Sequence, residues 1–179
     1  MSNVLFLGDA HLGHKSITKY RTLFRDEQDH FEHIEIEYHK VVTKRDKCIF
    51  TGDAVFTEDR LRQMQKWAGT KVLIIGNHDT DSINMKTLAE CFDDMYGLLK
   101  YKEFWVSHAP IHPVELRGKA NIHGHVHNQN IQDIRYFNTS LENIGYKPIS
   151  LFEIRAIMAK RKEYVSRYGT YNVEWDKLK

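Results

Sequence analysis

Apolar residues fall along this chain in short blocks whose internal spacing switches between two periods. Val4-Leu5-Phe6-Leu7 is an uninterrupted run and reads as a buried strand. Phe31, Ile34, Tyr38 and Val41 recur at helical spacing and predict a helix over residues 31–42. Residues 48–51 read as a second strand. Thr57 can cap a helix running to about Trp67, with Leu61, Met64, Trp67 and Ala68 along one face. Residues 72–75 form a third strand and 85–92 a third helix. Residues 98–106 read as two strands around a turn near 100–102, and further strand-like pieces lie at 121–122 and 134–137. An amphipathic or edge helix is expected over about 151–164.

The β, α, β, α, β order favours a layered α/β fold with a central sheet. The later strands lack long helices between them, which points to a second sheet packed on the first, a four-layer α/β/β/α sandwich of two mixed sheets. No repeat, low-complexity tract or Pro/Gly-rich linker interrupts the 179 residues. A single domain over 1–179 is expected, with about 156–179 as a C-terminal helical or tail extension.

Composition narrows the function by exclusion. Apolar residues are 41% of the chain and charged ones 28%, with a net charge of +2. That balance demands neither nucleic acid nor an acidic membrane as partner. Cys48 and Cys91 are outside any Cys-x-x-Cys pattern, which argues against a disulfide framework or thiolate zinc site. The N-terminal apolar run is too short for a signal peptide or membrane span, so a cytoplasmic location is the default. The unusual count is eleven histidines.

The chemistry follows the apolar runs. Residues 4–7 end in Gly8-Asp9-Ala10-His11, and 48–50 in Thr51-Gly52-Asp53. Residues 72–75 end in Gly76-Asn77-His78-Asp79, 104–106 in Ser107-His108, and 121–122 lead into His123-Gly124-His125-Val126-His127. Each strand thus releases ligand-type side chains at its C-terminal end, the edge where open α/β sheets bind ligands. Any one of these pieces is weak. All of them in this order are hard to attribute to coincidence.

Together these motifs resemble the calcineurin-like metallophosphoesterase superfamily, over roughly residues 4–152. The extended opening Asp9-Ala10-His11-Leu12-Gly13-His14 and the stretch Asn143-Ile144-Gly145-Tyr146-Lys147-Pro148-Ile149 are similar to its small stand-alone bacterial and phage members. The resemblance implies two divalent metal ions at the strand C-terminal ends. It places Asp9, His11, Asp53 and His127 on the first and Asp53, Asn77, His108 and His125 on the second, with Asp53 bridging. It makes His78 the catalytic histidine beside them. Manganese is the favoured metal, with Fe, Zn, Ni or Mg as alternatives.

The residue types suit that assignment, because oxygen and imidazole donors match hard-to-borderline cations. A bridging carboxylate can hold two ions about 4 Å apart. Two aspartates and a bridging hydroxide leave such a site cationic, as a phosphate ester and its transition state require. The ions would activate that hydroxide as the nucleophile. One position departs from the superfamily pattern: three residues after Asp53, where an acidic partner of the catalytic histidine is common, this chain has Phe56. Asp79 is the adjacent candidate to orient His78, unless it faces away and holds a turn.

Other residues carry competing readings. His14 can contact substrate or donate a proton, or sit as a surface residue at a helix start. Arg117 can bind a phosphate oxygen bidentately, or be a solvated loop arginine. His123 reads as packed or as supporting a ligand. His30, His33 and His39 are expected to be solvated, as is the basic run Lys160-Arg161-Lys162. Tyr164, Tyr168, Tyr171 and Trp175 are expected to pack on the domain or a partner. The leading expectation is hydrolysis of phosphodiesters, small or cyclic nucleotides, by an open site. Monoesters and pyrophosphates are alternatives, and a nuclease would want a stronger basic groove. A non-catalytic binding protein is disfavoured because the ligand set has no gaps, and a closed structural metal site because the set is not cysteine-rich.

Overall fold

The structure is a computed structural model that describes residues 2–169. Strand β1 (Val4–Leu7), helix α1 (Glu27–Val41), β2 (Lys47–Phe50), α2 (Glu58–Gln65) and β3 (Thr70–Ile74) build its first half. A short α3 (Met85–Leu88) leads into β4 (Asp94–Tyr96), followed by β5 (Leu98–Tyr101), β6 (Phe104–Ser107), β7 (Ala120–His123) and β8 (Tyr136–Asn138). Then come α4 (Leu141–Ile144), β9 (Ile149–Ser150) and α5 (Leu151–Tyr168).

One sheet has the order β4-β3-β2-β1-β9 and the other β5-β6-β7-β8. β1 to β4 run parallel, and β9 joins antiparallel at the edge. In the second sheet β6, β7 and β8 are parallel and β5 is antiparallel. Both sheets are therefore mixed, as expected, and one hydrophobic core runs through both. The aliphatic runs of β1, β2 and β3 are buried on both faces, which is why they read as continuous rather than alternating.

Helices begin where their caps dictate. Thr57 accepts from the Arg60 amide and opens α2, as its sequence predicts. Asp26 caps α1 four residues or so ahead of the expected start, and Ser150 with Glu153 forms a capping box on α5. Tyr38 of α1 stacks over Phe50 of β2 and donates its hydroxyl to the Ala68 carbonyl. α5 crosses towards the other sheet, where buried Arg161 donates to the Tyr136 carbonyl and lies over the Phe137 ring. The expectation of a solvated basic face on α5 is thus corrected at Arg161: a guanidinium can bury its stem while its head finds a carbonyl.

Two segments differ from expectation, each because an aspartate binds a backbone amide at its boundary. The helix expected over 85–92 stops at Leu88, because Asp93 is drawn into the sheet through the Lys71 amide and carbonyl, starting β4. The strand expected from Ile134 begins at Tyr136, after an Asp133 turn that binds the Arg135 amide. Tyr164 and Tyr168 pair with each other, centroids 4.6 Å apart. Tyr171 and Trp175 lie outside the described residues.

Candidate metal centre

The C-terminal ends of β1, β2, β3, β6 and β7 meet at one edge of the sandwich, and the chain turns sharply at each. Asp9, His11, Asp53, His125 and His127 all take left-handed backbone, with φ of 52°, 51°, 49°, 73° and 46°. Non-glycine residues avoid this region, and each costs on the order of 1–3 kcal/mol unless its surroundings impose it. Here the surroundings are a backbone ladder between two loops. Asp9 N–H donates to Gly52 O (3.0 Å), His11 N–H to Asp53 O (2.9 Å) and Leu12 N–H to Ala54 O (3.0 Å). Parallel β1 and β2 thus continue past their last strand residues, and the ladder aims two carboxylates at one point.

Both aspartates are held by hydrogen bonds from the scaffold. Asp9 Oδ2 accepts from Ser140 Oγ (2.6 Å), and the His125 amide is shared between Asp9 Oδ2 (2.9 Å) and Oδ1 (3.1 Å). Asp53 Oδ1 accepts from the His78 amide (2.9 Å). The opposite oxygens face the cluster. Asp53 Oδ2 lies 3.8 Å from His11 Nε2 and 3.4 Å from His108 Nε2, between the two expected sites. Around His108 Nε2 gather Asn77 Oδ1 (2.9 Å) and His125 Nδ1 (3.0 Å). Donor atoms of Asp9, His11 and His127 lie within 4.8 Å of one another, and so do those of Asp9, Asp53 and His108. The structure therefore brings all the expected ligand residues together. Asp9 also reaches the second group, but both its oxygens accept from the His125 amide (2.9 and 3.1 Å), whereas Asp53 Oδ2 faces both His11 and His108.

The cluster is built for positive charge. Burial opposes ionisation of Asp9 and Asp53, yet hydrogen bonds and the neighbouring histidines hold both pKa values below the ordinary carboxylate range. Burial also disfavours a charged His108, but Asp53 outweighs it and raises its pKa. The His127 pKa is raised by its hydrogen bond to Glu142. His11 Nε2 is buried without a hydrogen-bond partner, aimed at both carboxylates. Oxygen and imidazole donors converging on a buried, electron-rich point fit divalent cations. Supporting contacts set the tautomers: Nδ1 of His108 donates to the Thr51 carbonyl (2.9 Å) and Nδ1 of His127 to Glu142 (3.3 Å), leaving each Nε2 as the donor atom for a metal.

The remaining candidates separate. Asp79 is buried and accepts from the amides of Asp53 (3.0 Å), Ala54 (2.8 Å) and Gly76 (2.7 Å). Its carboxylate is consumed in knitting the loops after β2 and β3, so it does not orient His78. Asp81 does: His78 Nδ1 donates to its Oδ2 at 2.7 Å. Phe56 packs among the rings of His11 (5.0 Å), His14 (5.1 Å) and His78 (5.7 Å). His14 thus stands beside the cluster, with Nδ1 buried and unpartnered. Arg117 is exposed and paired with Glu115 at 2.9 Å. His123 is buried, its Nδ1 bonded to the Gly124 carbonyl, and burial lowers its pKa to about 4.

Residues that the sequence reading passed over complete the site. Arg21 is buried and bonds the Asp9 and Ala10 carbonyls, His30 and Glu142. His30 is therefore not solvated: it is fully buried, and desolvation with the adjacent guanidinium lowers its pKa to about 3. Glu142 resists burial through His127 and Arg21, which bring its pKa down to about 2. Only the placement of Glu142 directly before the Asn143–Ile149 stretch, and of Asp81 three residues after His78, gave a local signal.

Comparison with known proteins decides the family. The model for calcineurin-like phosphoesterases matches residues 2–170. The chain belongs to the calcineurin-like phosphoesterase family. It is accordingly a metal-dependent phosphoesterase, in a family that typically binds two divalent ions. Among its relatives is the uncharacterized protein MJ1445 of Methanocaldococcus jannaschii, 25% identical over 177 residues, covering 90% of this chain and 94% of that one. The gene 66 protein of Mycobacterium phage L5 is 33% identical over 84 residues, covering 44% of this chain and 41% of that one. A crystal structure of the Aquifex aeolicus protein of unknown function AQ665 superposes with a TM-score of 0.70 at 28% identity, covering 87% of this chain and 98% of that one. Among the described residues, no helix is long and apolar enough to cross a membrane.

Proposed function

We propose that this phosphoesterase is a dinuclear phosphodiesterase of small nucleotide-type diesters, with Mn²⁺ as the working metal. Asp9, His11, Asp53 and His127 would hold one ion and Asp53, Asn77, His108 and His125 the other. Bound there, the ions supply an activated water and neutralise charge on the phosphoryl oxygens. The observation that carries the reading is the position of Asp53 Oδ2 between His11 and His108, the place of a bridge.

The chain's own groups do the rest. His78 commits Nδ1 to Asp81, which leaves Nε2 to face the leaving oxygen or the phosphoryl group. The side chains of His78 and His127 are 46% and 42% exposed, so the cluster is open on both flanks, as an ester with two substituents needs. Preference for the singly charged diester is supported by the arginines. Arg21 donates to backbone carbonyls, His30 and Glu142, and Arg117 pairs with Glu115, so neither guanidinium is presented to the extra charge of a monoester.

The test compares kcat/KM for an aryl phosphodiester and the matching aryl monoester with Mn, Mg, Ni and Zn. Preference for the diester, greatest with Mn, is expected. A clear monoester preference overturns the diesterase reading and leaves the metal centre standing.

A further inference from the structure

We propose that Arg21 is a positioning residue that governs occupancy of one metal site, the one built from Asp9, His11 and His127, without touching metal or substrate. The inference rests on the ligand assignment just proposed. The Arg21 side chain is 1% exposed, and a buried guanidinium must have its N–H groups satisfied in fixed directions. Nη2 donates to the Asp9 carbonyl at 2.5 Å and Nη1 to the Ala10 carbonyl at 3.1 Å. These two peptides link Asp9 to His11, both in left-handed backbone with φ of 52° and 51°. The fork therefore pins the turn that aims both side chains.

The same guanidinium reaches the third ligand. Its Nε donates at 2.8 Å to Glu142 Oε1, the oxygen that also accepts from His127 Nδ1 at 3.3 Å. Glu142 is thereby held where it can orient the His127 ring. His30 on α1 completes the clamp by accepting from Nη1 at 2.9 Å. None of these bonds goes directly to Asn77, His108 or His125: of these residues the Asp9 carboxylate bonds only the His125 backbone amide, and His108 is oriented separately, by the Thr51 carbonyl. Lysine cannot replace the fork, since an ammonium with three N–H donors on a flexible stem cannot serve four acceptors in fixed directions.

The test titrates metal-free protein with Mn²⁺ alone, followed by calorimetry and by electron paramagnetic resonance of the bound ion. The wild type should show two sites and a coupled two-ion spectrum. In Arg21→Lys one site should weaken by roughly 10- to 100-fold, the range for losing a partner of a ligand, while the other stays within about threefold. Partly filled variant should then give the spectrum of isolated ions. Glu142→Gln, which keeps the side-chain shape, should weaken the same site, and the double variant should lose less than the sum. Equal weakening of both sites, or of neither, overturns the proposal. Should Arg21→Lys not fold, Glu142→Gln decides alone on the same criterion. His127→Ala separates this inference from the reading beneath it. If it empties one site that Arg21→Lys spares, only the role of Arg21 falls. If it leaves both sites intact, the ligand assignment falls as well.

Discussion

Gly76→Ala should disable the centre through a single methyl group. A Cβ built at Gly76 would stand 2.2 Å from Asp53 Oδ1, 2.5 Å from the Asp53 amide nitrogen and 3.0 Å from its Cγ. Ordinary contact is about 3.5 Å or more, so the Asp53 carboxylate and peptide must retreat by roughly 1 Å. Two of the bonds that hold Asp53 would be strained, its amide to Asp79 (3.0 Å) and the His78 amide to its Oδ1 (2.9 Å). Overpacking of this kind costs about 1–3 kcal/mol, which for a domain of this size lowers Tm by roughly 2–12 °C. The functional loss should be larger than the loss of stability. A 1 Å displacement of a positioned group can cost about 100-fold, and Asp53 is proposed to serve both ions. The assay pairs thermal melting of metal-free protein with Mn²⁺ affinity and kcat/KM on an aryl diester. Gly97→Ala is the control, because a Cβ there meets nothing within 4 Å. If Gly76→Ala keeps both metal affinity and kcat/KM within about twofold of wild type, close approach at Gly76 is not what sets Asp53, and the reasoning fails.

Other expectations follow from the same geometry. Asp53→Asn should weaken both metal sites together, whereas His108→Ala should empty mainly one; full two-metal occupancy of Asp53→Asn at low metal, measured by mass spectrometry, would refute the bridge. His78→Ala should keep both metals and slow a nucleotide diester by about 10²- to 10⁴-fold, and a nitrophenyl diester distinctly less, because that leaving group departs without a proton. Equal losses would show that His78 acts on the phosphoryl oxygens instead. Asp81→Asn should move the same way by roughly tenfold, the order of one charge-assisted hydrogen bond; no change would dismiss Asp81 as its partner. His30 has a folded pKa of about 3 against an ordinary 6.5, so its contribution to stability is complete above pH 6.5 and is lost as pH falls towards 3. Between about pH 8 and pH 5 that amounts to roughly 2 kcal/mol. Urea unfolding of metal-free protein should show the decline, and His30→Gln should flatten it; an unchanged slope in the variant would contradict a neutral, buried His30.

The sequence alone determined the strands that carry the site and the residues at their ends. Aliphatic runs that stop at Gly-Asp, Gly-Asn-His-Asp or Gly-His-x-His announce buried parallel strands and sharp turns at their C-terminal edge. Both signals are local, since burial sets the run and the turn follows within a few residues. That was enough for the layered fold and for the set of side chains now found clustered. It was not enough for their support. Asp79 and Asp81 both follow His78 closely, and nothing in the window says which one turns back to the imidazole. The fold decides it, because the amides of Asp53, Ala54 and Gly76 claim Asp79. His30 reads as a polar helix position until α1 packs it against Arg21. Arg21 and Glu142 are 121 residues apart, Asp9 and Ser140 131 apart, and Asp9 and the His125 amide 116 apart. Contacts at such separation leave no periodicity along the chain, so only the stacking of two sheets brings them together and decides how each ligand is aimed.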